Sequence, residues 1–196
     1  MKIRFSYVVL LFVLSSVSFF SCKDDKEDDP IPAPVNVLCD GKGSLSYMPL
    51  ALGNRWLLTA GSDSIQQGVY FVTTAGTVQN FEVGQDAANT ITYSRLANGN
   101  ITIVDMNGDD VLYMPAVPVP GQTWAYEVGF ATERRVVNLN SAIYTPKCAY
   151  TNCLKIEDIS GSSVVATSYY KKGVGMVSSD FITGNPNYKL AGIILN

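Results

Sequence analysis

Thr90-Ile91-Thr92-Tyr93-Ser94-Arg95-Leu96-Ala97-Asn98-Gly99-Asn100-Ile101-Thr102-Ile103-Val104-Asp105-Met106-Asn107-Gly108-Asp109-Asp110-Val111-Leu112-Tyr113-Met114 decides the fold. Three short runs of β-branched and aromatic residues are separated by Asn-Gly turns, whose residues tolerate the positive φ that tight hairpins need. Ile91 and Tyr93 point one way while Thr90, Thr92 and Ser94 point the other, the two-residue period of a strand. The same grammar runs outward in both directions. Segments 54–60, 68–74 and 77–83 lie before it, and 123–128, 133–139, 154–159, 164–171, 176–182 and 188–195 lie after it. No stretch sustains a 3.6-residue apolar period with helix caps, although a short helix at 84–88 or 138–143 fits the pattern. Some strands, such as 188–195, are apolar on both faces, which calls for a second layer or for closure. The expected fold is all-β: an antiparallel meander forming a curved half-barrel, barrel or sandwich.

Composition agrees with a well-packed body. Of 196 residues, 47% are hydrophobic and 16% charged, enough for one full core. The formal charge is −3 with no clustered basic patch, which argues against nucleic acid as a partner. Absence of histidine removes Ser-His-Asp, Cys-His and most zinc mechanisms together. No metal site and no cofactor is expected.

The first residues carry an address. Lys2 and Arg4 precede an apolar stretch from Phe5 to Phe20 that closes at Ser21-Cys22, directly before Lys23-Asp24-Asp25-Lys26-Glu27-Asp28-Asp29. That apolar core is short for a spanning helix and lacks a stop-transfer flank. The pattern resembles a bacterial lipoprotein signal, in which Cys22 becomes the acylated first residue, palmitate included. The acidic run further resembles the surface-export tag of Bacteroidota lipoproteins. The resemblance implies membrane attachment through lipid on Cys22, at the outer membrane and on the cell surface, with the periplasmic face as the alternative. Pro30-Ile31-Pro32-Ala33-Pro34 favours extended polyproline II. The expected organisation is a signal peptide over 1–21, a lipidated and acidic tether over 22–44, and one β domain over 45–196. An oxidising compartment permits disulfides. Cys148 and Cys153 are the expected pair, with Cys39 bonded to either, or no bond at all, as alternatives.

One unit of sequence occurs twice. Met48-Pro49-Leu50-Ala51-Leu52-Gly53-Asn54-Arg55-Trp56 is echoed by Met114-Pro115 leading to Gly121-Gln122-Thr123-Trp124, and both tryptophans of the chain occupy the same place in a Gly-x-x-Trp unit. Each unit turns a loop, starts a strand and plants a large aromatic at its beginning. Core anchoring is the plain role, and an aromatic platform for a sugar or lipid is the functional one. With Tyr169-Tyr170-Lys171-Lys172-Gly173-Val174-Gly175 and Asn152-Cys153-Leu154-Lys155-Ile156-Glu157, these units resemble a broad group of bacterial secreted proteins and lipoproteins of unknown function. That resemblance covers roughly Tyr47 to Asn196 and implies a sheet wrapped round an apolar concavity. It brings no catalytic residues.

Catalytic patterns are weak. Ser168 and Lys171 have Ser-x-x-Lys spacing, but on a strand they diverge. Asp105, Asn107, Asp109 and Asp110 begin like a calcium loop, yet the sixth position is Asp110 and the twelfth Ala116, so a hairpin turn is the better reading. Glu82, Asp86, Glu127, Glu133, Glu157 and Asp158 supply carboxylates, and no spacing selects two of them. Arg134-Arg135 places one charge on each sheet face, as edge protection does. The expected protein is not an enzyme. It is a cell-envelope lipoprotein that binds a small apolar or sugar ligand, with Trp56, Trp124, Tyr126 and Tyr169 facing that ligand. The alternative is a structural or accessory subunit docking on other envelope proteins.

Overall fold

In a computed structural model, the described residues are 37–105, 107–182 and 187–196. The signal peptide, Cys22 and the acidic tether up to residue 36 lie outside them. After a single helical turn, α1 (Val37–Asp40), the chain is strand throughout: β1 (Arg55–Ala60), β2 (Asp63–Ala75), β3 (Val78–Gly84), β4 (Thr90–Arg95), β5 (Ile101–Val104) and β6 (Asp110–Met114). The second half continues with β7 (Thr123–Ala125), β8 (Glu133–Tyr144), β9 (Ala149–Ser160), β10 (Ser163–Lys171), β11 (Gly175–Phe181) and β12 (Tyr188–Ile194). No helix forms at 84–88 or 138–143; the latter stretch lies within β8.

The turns explain the meander. Gly99 and Gly108 have φ of 83° and 90°, and in both hairpins an Asn or Asp side chain takes backbone N–H groups two residues on. Asp105 Oδ1 accepts from Asn107 and Asp109, so the calcium-like sequence closes a hairpin with its own backbone.

Twelve antiparallel strands form one sheet in the order β6-β5-β4-β3-β2-β1-β12-β11-β10-β9-β8-β7. The chain starts in the middle of the sheet, walks to one edge, crosses to the other and walks back. The last strand therefore pairs with the first, Trp56 opposite Ile193, in a laddered seam, and the sheet curls into a nearly closed barrel whose second seam, between β6 and β7, has no ladder. Inward-facing residues fill it, among them Val136, Leu154, Ile156, Val177 and Leu190, all fully buried.

Side chains close the seam where no ladder does. Trp124 Nε1 donates to Leu112 O at 2.7 Å, and Arg134 Nη1 donates to Tyr113 O at 2.9 Å. Two carbonyls of an otherwise open edge are thereby satisfied, the requirement an edge strand must meet.

Two sequence expectations need correction. The disulfide joins Cys39 to Cys148, with Cα atoms 5.5 Å apart. Cys153 is a buried free thiol, and burial pushes its pKa up to about 11. Cys148 sits at the β8–β9 turn and Cys153 lies within β9. At ~3.3 Å per residue, their separation exceeds the roughly 7 Å that a disulfide spans. The second correction concerns residues 37–44, which belong to the folded body rather than the tether. Besides the disulfide, Tyr150 Oη donates to Leu38 O at 2.5 Å and Lys42 N to Gly173 O at 3.3 Å.

Candidate ligand cavity

Residues 48–54 fill one end of the barrel. Asn54, 2% exposed, organises them. Its amide donates to Pro49 O, its Oδ1 accepts from Asn196 N, and its backbone N–H bonds Ala51 O. Trp56 then enters the barrel, 8% exposed, with Nε1 donating to Val174 O at 2.7 Å. The Gly-Val-Gly unit is the other half of this contact. A Cβ on Gly175 would come within 2.9 Å of Trp56 Nε1, and Gly175 has φ of 101°, so a side chain is excluded twice over. The two motifs, 118 residues apart along the chain, are one local structure.

Beneath this plug a cavity with about 40 Å³ of water-accessible space remains, walled by Met48, Trp56, Val83, Tyr93, Tyr170 and Met176 among others. That is room for a few water molecules. Its deeper side is aromatic: Tyr113 and Tyr170 share a hydroxyl–hydroxyl hydrogen bond at 2.9 Å, and Tyr93 meets Tyr113 edge-on at 4.9 Å. Burial raises the phenol pKa of Tyr93 and of Tyr170 well above the ordinary value, so both stay neutral donors.

Arg134 lies behind the tyrosines, 3% exposed. Its Nε and Nη2 grip Asp158 at 2.6 and 3.3 Å, and its guanidinium lies against two adjoining rings, 4.3 Å from that of Tyr113 and 4.1 Å from that of Tyr126. Burial opposes its charge, but the oxygens of Tyr170, Tyr113 and Asp158 outweigh that and hold its pKa above the usual value. The sequence pattern puts Arg134 and Arg135 on opposite faces, and there they lie. Arg135 reaches Glu157 at 2.6 Å with Lys155 beside it, an outer-face triad, whereas Arg134 works inside at the seam rather than as edge protection.

Among the four aromatic residues expected to face a ligand, Trp56 lines the cavity. Trp124 and Tyr126 lie close by but are engaged, one with Leu112 O and the other with Arg134 and Tyr113. Tyr169 must be corrected: it pairs in register with Lys155 on the outer face, one residue from the buried Tyr170. Sequence reasoning missed Tyr93, Tyr113 and Tyr170. Their alternation was legible, but which face would be enclosed was not.

Glu82, Asp86, Glu157 and Asp158 are each held by a neighbouring strand or by their own loop. Glu82 accepts from Thr90 and Thr92 at 2.8 and 2.9 Å, Asp86 caps its own loop, and Asp158 holds Arg134. Ser168 faces Ser179 while Lys171 Nζ donates to Thr151 O, so the Ser-x-x-Lys pair diverges as its strand register requires. Among the described residues, no group of three or more Cys, Asp or Glu could hold a metal ion, and no helix is long and apolar enough to cross a membrane.

No protein-family model and no curated protein matches the chain. Two solved structures are similar in outline. One is from Bacteroides fragilis NCTC 9343, described as exported with a YmcC-like fold, at 15% identity and a TM-score of 0.39, covering 75% of this chain and 98% of its own. The other, from Parabacteroides distasonis ATCC 8503 and described as a lipoprotein, has 13% identity and a TM-score of 0.44, covering 78% and 100%. Similarity of this degree transfers no function.

Proposed function

We propose that this is a non-catalytic lipoprotein of the cell envelope, anchored at the outer membrane through Cys22, whose barrel holds a small apolar ligand. The supporting observation is the interior cavity, ringed by Trp56, Tyr93 and Tyr170 with Met48 and Met176 at its sides. Several of its polar groups are already paired: the Tyr113 and Tyr170 phenols bond each other, and the indole bonds Val174 O, which leaves Gln67 as the one side-chain amide in the lining. A sugar carries more hydroxyls than so few polar groups could match, so an apolar guest fits better. Methionine side chains yield readily, and their movement would enlarge the space for a guest beyond a few waters. The anchor rests on the lipoprotein-like signal, each buried methylene of an acyl chain contributing about 0.8 kcal/mol.

A second reading is supported by a different place. Phe130 and Ile182, 87% and 63% exposed, lie with Phe181 near a cleft at the β7–β8 turn, as a docking subunit would require. Native mass spectrometry of the lipidated protein, gently extracted from its own membrane, separates the two. A co-purifying small molecule, lost in Val83→Trp, supports the cavity reading. A stoichiometric protein partner without a small molecule supports docking, and an unmodified Met1 overturns the anchor.

A further inference from the structure

Among the described residues, Arg134 inside the barrel and Arg95 at its mouth differ in how well they are satisfied. Arg134 has a carboxylate, a carbonyl and two rings. Arg95, the last residue of β4, comes after Tyr93 on the inward face and reaches the mouth where residues 48–50 form the plug. Its hydrogen bonds are all long: 3.4 Å to Met48 O, 3.5 Å to Leu50 O and 3.5 Å to Gln79 Oε1. Good N–H···O bonds are ~2.7–3.2 Å. Its guanidinium also lies over the Phe81 ring at 4.9 Å, and it forms no ion pair among the described residues. Half-buried, with burial pulling its pKa down, it is a cation held by long contacts and one ring, with no carboxylate paired to it among the described residues.

Open space lies on both sides of it. One cleft, about 240 Å³, is walled by Tyr47, Ile101, Met114, Pro115 and Ala116, with Gly99 leaving room at its rim. The other, about 270 Å³, carries Lys42 and Ser44. No Asp or Glu side chain lines either. Lys172 stands over the Tyr47 ring at 5.3 Å and adds to the positive field. An underused fork of N–H donors beside an apolar wall, with no Asp or Glu side chain in the lining, is how a protein recognises an oxyanion that carries a hydrocarbon body.

We propose that Arg95 and the cleft walled by Ile101 and Met114 bind a small amphipathic anion, a carboxylate or phosphate monoester with a short aliphatic chain. The head group takes the guanidinium from its long contacts with the plug, and the chain lies along Met114 and Pro115. This site is separated from the interior cavity by residues 48–50, so the two readings fail independently.

The test is isothermal titration of the full lipidated chain in zwitterionic nanodiscs, with empty nanodiscs as the blank. Hexanoate and hexyl phosphate are the probes, with inorganic phosphate and hexanol as controls. At least one amphipathic anion is expected to bind, with about tenfold weaker affinity in Arg95→Gln and a smaller loss in Arg95→Lys, which keeps the charge without the fork. Ala116→Glu, at an exposed rim position, is expected to weaken binding by repulsion while leaving the melting temperature unchanged; it carries the test if Arg95 variants fold poorly. Neither probe binding, binding unaffected by Arg95→Gln and Ala116→Glu, inorganic phosphate binding as tightly as hexyl phosphate, or hexanol binding as tightly as hexanoate would each overturn the site.

Discussion

The two Gly-x-x-Trp units make the same turn and then serve two different seams. In the first, Gly53 N donates to Val69 O, Val69 N to Asn54 O, and Asn54 N to Ala51 O, at 3.0, 2.9 and 3.0 Å. In the second, Gly121 N donates to Val136 O, Val136 N to Gln122 O, and Gln122 N to Val119 O, at 2.8, 2.9 and 3.0 Å. Gly53 and Gly121 have φ of 81° and 83°. Local sequence sets the turn, and the neighbouring strand sets the role of the tryptophan after it. β1 finds β12 and forms a ladder, so Trp56 can bury its ring and bond Val174 O. β7 finds no ladder at β6, so Trp124 and Arg134 satisfy the open carbonyls with their side chains. The barrel is thus zipped at one seam and buttoned at the other.

The largest expected effects come from removing what each seam depends on. Trp56→Ala should cost about 3–5 kcal/mol in denaturant unfolding, as large aromatic truncations in cores do. Trp124→Ala should cost clearly less, because its ring is only half-buried; equal losses would mean the seams are equivalent. Arg134→Met should also cost about 3–5 kcal/mol, since it strands Asp158 without its partner. Arg134→Met combined with Asp158→Leu should recover much of that loss. A double variant as unstable as the sum would show that the ion pair is not the shared element.

Next comes the disulfide, which touches neither seam. It closes a loop spanning 109 residues, so Cys39→Ser is expected to cost about 2–5 kcal/mol while leaving the β6–β7 amides as protected as before. Selective loss of protection at that seam would show that the clip and the barrel closure are coupled.

The smallest effect is at high pH. Burial raises the pKa of Tyr93 and Tyr170 above the ordinary phenol value near 10. A raised folded pKa means its stabilisation is complete below the unfolded value and drains away as pH climbs past about 10 towards the folded one. Stability measured by denaturant unfolding should therefore fall from about pH 10 upward, and Tyr93→Phe should flatten that fall. An unchanged slope would place these phenols in contact with solvent.

Strand content was legible because Gly, Asn and Asp mark nearly every turn, and all twelve segments recur as strands, β2, β8 and β9 longer than expected and β7 shorter. Closure was not legible. Nothing in Thr123-Trp124-Ala125 says that β7 lacks a ladder on one side, because edge and interior strands share one alternation. For the same reason Tyr169 and Tyr170 could not be told apart as outer and inner. The Cys39–Cys148 bond depends on where the chain crosses the β8–β9 turn, a long-range fact without local signature. Arg134 was seen as alternating with Arg135, but a buried arginine reads like a surface one until its carboxylate is found across the ladder.

The most direct test of the two-seam barrel is hydrogen–deuterium exchange on the native chain and on Arg134→Met. Exchange should rise selectively in residues 110–114 and 123–125, with β1 and β12 amides as protected as before. Uniform acceleration throughout, or no change at the β6–β7 seam, would contradict a barrel held shut there by side chains.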